Sequence, residues 1–285
     1  MSLAPRVLLS IDYEPVFALF RHYDSLTDSS ERRALDDGFT LRALEPILEL
    51  VGEARASLYL VGEVAEWYPE IPQKIVAAGH ELGLHCHIHR PLVDVDELAQ
   101  DLQRSAPWCK QYGVRGYRAP MIGIREAAYP LLEAHGFTYS SSMYAPTGTL
   151  LKKGNVWELP VSTVSLRGMQ DEYLAPRDFS FKLLFQGEFP YGSSFSFGML
   201  GRQNLGFIER ELKRGLCPSI IFHPYELVRP PASARLTRDL WLNPHLLPFL
   251  RDKSGFLKEL LRNFPVSSLG TYLDEKLTRT GSPNA

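Results

Sequence analysis

Cysteine is scarce in this chain. Cys86, Cys109 and Cys217 are the only three in 285 residues, odd in number and far apart. That excludes the dense disulfide framework of a small secreted domain and fits a reducing compartment, so a cytoplasmic protein is expected. Long apolar runs are missing too: no window reaches the ~20 consecutive apolar residues of a membrane helix, and no membrane span is expected. Met1–Arg6 leads almost directly into Val7-Leu8-Leu9-Ser10-Ile11, with no apolar core followed by a small-residue cleavage site, so no signal peptide is read. Charge of one sign is lacking as well. With 31 Lys and Arg against 33 Asp and Glu, the formal net charge is −2, which gives no electrostatic reason to expect nucleic acid or an anionic membrane as partner. Nor is there an internal repeat or a low-complexity tract.

What is there is an ordinary globular composition, 45% hydrophobic and 22% charged, long enough for one domain or two tightly joined. Val7 to Ile11 reads as a strand that stops at Asp12-Tyr13-Glu14-Pro15, where proline blocks further pairing. Thr40 is expected to cap an amphipathic helix with Leu41, Leu44, Ile47, Leu48 and Val51 on its apolar face. Strand patterns follow at 56–61 and 82–85, then 114–117, 137–139, 156–161 and 218–226, alternating with helical patterns at 69–78, 93–112, 125–135 and 204–214. Repeated strand-then-helix units predict an α/β protein, a parallel sheet covered by helices and curled into a barrel. Residues 16–40 and 162–203 read as irregular insertions in a single domain of 1–285, with its core at 6–278.

The densest chemistry lies in Gly79-His80-Glu81-Leu82-Gly83-Leu84-His85-Cys86-His87-Ile88-His89, which holds four of the eight histidines. His85 and His89 are four residues apart, a spacing from which two imidazoles can reach one metal ion; incidental loop histidines are the alternative. Other strand ends carry Asp12 and Glu14, Arg118, and His223. Two histidines and one carboxylate make a ligand set typical of catalytic zinc, with a position left for water or substrate. If Glu14 is the ligand, Asp12 is free to act as a general base, and a turn of the backbone at Pro15 is expected to bring both to one site. Cys86 reads as a small buried hydrophobe, His80 as structural, and His87 as pointing away.

In order and content these motifs resemble the polysaccharide deacetylases of carbohydrate esterase family 4. The motifs are Asp12-Tyr13-Glu14, the Gly79 to His89 segment, Tyr117-Arg118-Ala119-Pro120 and Phe222-His223; the spaced Asp-x-Glu points to one subgroup. Gly62-Glu63-Val64-Ala65, Trp157-Glu158-Leu159-Pro160 and His223-Pro224-Tyr225-Glu226 also look familial. The resemblance implies a distorted (β/α) barrel of about seven strands. It also implies a metal-dependent hydrolase that removes an N-acyl group, most often N-acetyl, from an amino sugar or polysaccharide. By the same resemblance Glu14, His85 and His89 would bind a divalent metal, zinc first, with cobalt, nickel, manganese or iron as alternatives. Asp12 would be the base, Arg118 would orient it, His223 would protonate the departing amine, and the backbone N–H of Met121 would help hold the oxyanion. The partner implied is an N-acylated saccharide. One departure stands out: Tyr139-Ser140-Ser141-Ser142 occupies the place of a Tyr-Asp-Ser-Ser. Either another acid such as Glu158 substitutes, or the charge network is weaker. The runner-up readings are a hydrolase of a non-sugar small amide and a catalytically impaired glycan-binding relative.

Overall fold

The computed structural model describes residues 3–20, 26–92, 94–165 and 188–281. Its strands are β1 (Val7–Tyr13), β2 (Ser57–Leu60), β3 (Glu81–Leu84), β4 (Gly116–Tyr117), β5 (Tyr139–Ser140), β6 (Tyr144–Pro146), β7 (Leu151–Lys153), β8 (Val156–Glu158), β9 (Val161–Ser165), β10 (Glu188–Phe189), β11 (Ser219–Phe222) and β12 (Val266–Ser267). β11, β1, β2, β3, β4, β5 and β8 pair in that order, all parallel, and form the curled sheet of a half-barrel. β7 adds an antiparallel edge and β12 pairs with the start of β1. Pro160, which cannot donate to a ladder, separates β8 from β9, and β9 pairs instead with β6 and β10.

Gly192 bridges the open side between β9 and β11. Its N–H donates to the Ser162 carbonyl at 3.0 Å and its carbonyl accepts from Ile221 N–H at 2.9 Å. A Cβ there would sit 2.4 Å from the Ser219 carbonyl oxygen, so only glycine fits.

Alternation along each strand sorts the sheet into two faces. Outward-facing Val7, Leu9 and Ile11 of β1, Leu58 and Leu60 of β2, and Ile220 and Phe222 of β11 join Leu44 and Ile47 of helix Phe39–Val51 and Leu257 and Leu260 of helix Ser254–Asn263 in one core. Each such side chain contributes roughly 1.5–3 kcal/mol by leaving water. The inward face mixes polar and small residues, Ser10, Asp12, Tyr59 and Gly83, with the apolar Leu8 and Ile221. The same period corrects one expectation. Asp12 and Glu14 are two residues apart and share the inward face without any turn, and the backbone stays extended through Pro15 (φ −66°, ψ 147°). Tyr13 between them points outward and donates to the Thr40 carbonyl at 2.6 Å.

Two further expectations change. Gly38 in a left-handed conformation, not Thr40, stands at the N-cap of helix Phe39–Val51, and the Thr40 hydroxyl instead donates to Asp36 at 2.8 Å. The stretch 16–40, read as irregular, contains helix Ser29–Asp36, capped by the Asp28 carboxylate. Within 162–203 the chain forms β10 and helix Ser194–Leu200; residues 166–187 of that expected insertion lie outside the described residues.

Candidate active site

β1 and β3 deliver the three proposed ligands to one point. The ligand atoms of Glu14, His85 and His89 all lie within 4.8 Å of one another, and all three residues are buried. Glu14 Oε2 is 3.1 Å from His85 Nε2 and 2.8 Å from His89 Nε2, while its Oε1 accepts from the Tyr225 hydroxyl at 2.7 Å. Burial alone would push the Glu14 pKa up. The positive potential of His89 and the hydrogen bonds of both imidazoles outweigh it and hold the carboxyl well below its usual range.

His85 Nδ1 lies 2.9 Å from the Arg118 carbonyl, which can only accept, so Nδ1 carries the hydrogen. In the neutral ring Nε2 then faces the Glu14 carboxylate lone pair to lone pair. Such a buried arrangement is satisfied by a second ring proton or by a cation between them, and a donor set of two imidazoles and a carboxylate suits a divalent metal.

The loop that holds His89 is pinned from behind. Cys86, fully buried, adopts φ +55° and reverses the chain after β3; a left-handed non-glycine costs on the order of 1–2 kcal/mol. Asp101 accepts from the N–H groups of His87 at 2.6 Å and Ile88 at 3.2 Å. Gly62 and Glu63 N–H donate to the Cys86 and His87 carbonyls, each at 2.9 Å. Burial pushes the Asp101 carboxyl up to about 6. His87 packs away from the ligands against Ser105 at 3.0 Å, and burial takes its pKa down to about 3, leaving it neutral.

Asp12 is 3% exposed, with Oδ2 3.7 Å from Arg118 Nη1 and 4.0 Å from His85 Nε2. Its Oδ1 is a buried acceptor with no hydrogen-bond partner among the described residues, and Asp12 lines the cavity of the site. Arg118 is fully buried. Its Nη2 donates to Ser10 Oγ at 3.0 Å, and the guanidinium lies 4.7 Å from the Tyr59 ring centroid. Glu158 stands opposite Ser140 in the β5–β8 register. It accepts from Ser142 N–H at 2.6 Å and the Tyr129 hydroxyl at 3.1 Å. Burial raises its pKa, against hydrogen bonds from Ser140, Ser142 and Tyr129 and the charge of Arg118. A buried acid therefore adjoins Ser140 from the next strand.

His223, at the end of β11, has Nε2 3.9 Å from Glu14 Oε1 and Nδ1 2.5 Å from Glu226 Oε1. Its ring stacks on Tyr225 at 5.1 Å. Burial would lower its pKa, but the Glu226 carboxylate, with Glu14 and Asp12 behind it, raises it to about 9. Ser194 donates to Glu226, and Lys253 Nζ lies 3.3 Å from Glu226 Oε2. Lys253, 2% exposed, also donates to the Pro248 and Phe249 carbonyls at 2.9 and 3.1 Å.

These groups open on a cavity of about 280 Å³ that is also lined by the apolar Leu19, Met121, Ile122, Phe195, Leu246 and Phe249, with Ser193, Ser194 and His245 among them. Met121 and Ile122 both have positive φ (58° and 53°), held by Ile122 N–H on the Ala119 carbonyl at 3.2 Å. The structure thus brings Asp12, Glu14, His85, His89, His223 and Met121 onto one cavity, with Arg118 behind Asp12. Tyr225, Glu226, Lys253 and Asp101 were not singled out from sequence. The segment His223-Pro224-Tyr225-Glu226 held a usable signal, since proline starts a helical turn that returns Glu226 to His223.

No protein-family model matches the sequence, and no curated protein matches it. Solved structures do. A candidate polysaccharide deacetylase from Mycobacterium smegmatis is 19% identical with a TM-score of 0.54, covering 91% of this chain and 94% of its own. Puue allantoinase is 14% identical with a TM-score of 0.53, covering 89% of each chain. A 4-alpha-glucanotransferase from Thermococcus litoralis is 11% identical with a TM-score of 0.51, covering 95% of this chain but 40% of that one. The fold is therefore the (β/α) barrel of polysaccharide deacetylases. Three proteins with three different activities share it, so the fold does not choose the reaction.

Proposed function

We propose that the chain is a metal-dependent hydrolase that removes an N-acyl group, N-acetyl first, from an amino sugar or saccharide, with residues 6–278 acting as one catalytic domain. The observation that carries this reading is the convergence of Glu14, His85 and His89 on one point, with the unsatisfied Asp12 carboxylate on one side and His223 on the other. Glu14, His85 and His89 would hold a divalent metal, zinc first, which would supply Lewis acidity for the hydrolysis. Asp12 takes a proton from the attacking water, and Arg118, 3.7 Å from its Oδ2, orients that carboxylate. The Met121 N–H donates to the developing oxyanion, a contact typically worth ~3 kcal/mol. His223, protonated and held by Glu226, gives its proton to the departing amine nitrogen.

The test is acyl release from N-acetylated amino sugars, their oligomers and small amides, by wild-type and Asp12→Asn protein with and without chelator. Chelator-sensitive acetate release from the sugars, lost in Asp12→Asn, supports the reading. Release from small amides alone would replace the substrate class, and glycan binding without turnover under any divalent metal would make the chain a binding relative.

A further inference from the structure

Helix Ala234–Leu242 turns Leu236 into the core and packs Leu240 against it. Its other face carries Arg235, Arg238, Trp241 and Leu242, spaced three and four apart so that they adjoin. Trp241 is 80% exposed and Leu242 55%, and Leu247 and Met199 on the neighbouring turn and helix are exposed as well. The same rim supplies Phe195, Leu246 and Phe249 to the cavity wall, so the outer patch runs from Leu247 through Leu246 into the site. Residues 227–252 hold four exposed arginines, Arg229, Arg235, Arg238 and Arg251, against Asp239 and Asp252, a local net of +2 in a chain of net −2. No helix among the described residues is long and apolar enough to cross a membrane.

We propose that this rim docks on an anionic membrane surface, opening the apolar side of the cavity toward molecules held in the bilayer. An exposed tryptophan beside leucines and arginines is the chemistry of an interfacial helix: the apolar side chains enter the headgroup boundary and the arginines meet anionic lipid. A second copy of the chain is the weaker occupant, because a two-fold contact through this helix would crowd Arg235 and Arg238 of both copies into one interface. The inference stands apart from the hydrolase reading, since vesicle binding is measured without turnover.

The experiment is co-sedimentation of the full chain with phosphatidylglycerol-containing vesicles and with pure phosphatidylcholine vesicles. Binding to the anionic vesicles, weakened by salt, is expected. Arg235→Gln/Arg238→Gln should reduce it on the order of tenfold or more, at about fivefold per arginine. Trp241→Ser should reduce it independently and remove a blue shift of tryptophan emission on the vesicles, with an unchanged melting curve as the check on folding. Absence of sedimentation, equal binding to neutral vesicles, or binding untouched by both variants overturns the proposal. So does a concentration-dependent dimer abolished by Trp241→Ser without vesicle binding.

Discussion

His85 and His223 face the same carboxylate from two strand ends, and they differ in what holds the far side of the ring. His85 donates from Nδ1 to a backbone carbonyl, a neutral partner that leaves Nε2 a lone pair suited to a metal. His223 is held at Nδ1 by the buried carboxylate of Glu226, which favours the imidazolium and suits a proton donor. One residue type is suited to two chemistries because its second partner is neutral in one case and charged in the other.

Removing each ring gives the sharpest contrast. His85→Ala should lower both metal content, by elemental analysis, and acyl hydrolysis toward background, whereas His223→Ala should keep the metal and lose about 10²–10⁴ in kcat. A His85→Ala protein that still holds stoichiometric metal would sink the ligand assignment. Asp12→Asn belongs with the second pattern: metal retained, with kcat/KM lower by about 10²–10⁴.

Glu226→Gln should make His223 resemble His85. A loss of about tenfold in kcat is expected, together with an acidward move of the alkaline limb of the pH–rate profile. The sign follows from the shift. The folded pKa of His223, about 9, lies above its ordinary 6.5, so the imidazolium is stabilising below 6.5 and its contribution is lost as pH rises through 9. Removing the Glu226 charge shrinks that window from its alkaline side, and an unmoved limb would remove Glu226 from this role. Lys253→Met is the smallest change and of opposite sign. With one cation fewer beside Glu226, the limb should move slightly alkaline, while the lost bonds to the Pro248 and Phe249 carbonyls lower stability by about 1 kcal/mol each, read in a melting curve.

The parts legible in sequence are those governed by local periods. The alternation of strand and helix predicted the barrel, and the strand ends singled out in the sequence bring Asp12, Glu14, His85, His89 and His223 to one cavity, with Arg118 behind Asp12. Asp12 and Glu14 were paired correctly for a wrong reason, since the two-residue repeat suffices and no turn at Pro15 is needed. The Thr40 cap was misplaced because the helix already starts at Phe39, which puts Thr40 inside the first turn with its hydroxyl donating to Asp36.

Sequence by itself nominated Glu14, His85 and His89 and put them at strand ends, because the His-x3-His spacing and the strand pattern are set within a few residues. Only the tertiary structure decided which acid answers each base. Glu158, which the sequence could only nominate, lies opposite Ser140 across a strand pair, and Lys253 arrives at Glu226 from 27 residues along the chain. The apolar wall was equally hidden, since Leu19, Met121, Phe195 and Leu246 share no pattern until folding brings them to one cavity. The overall charge concealed the basic rim for the same reason: a whole-chain total of −2 says nothing about where the charges meet. Electrostatic and apolar surroundings are properties of distance in space, and a linear sequence records distance only along the chain.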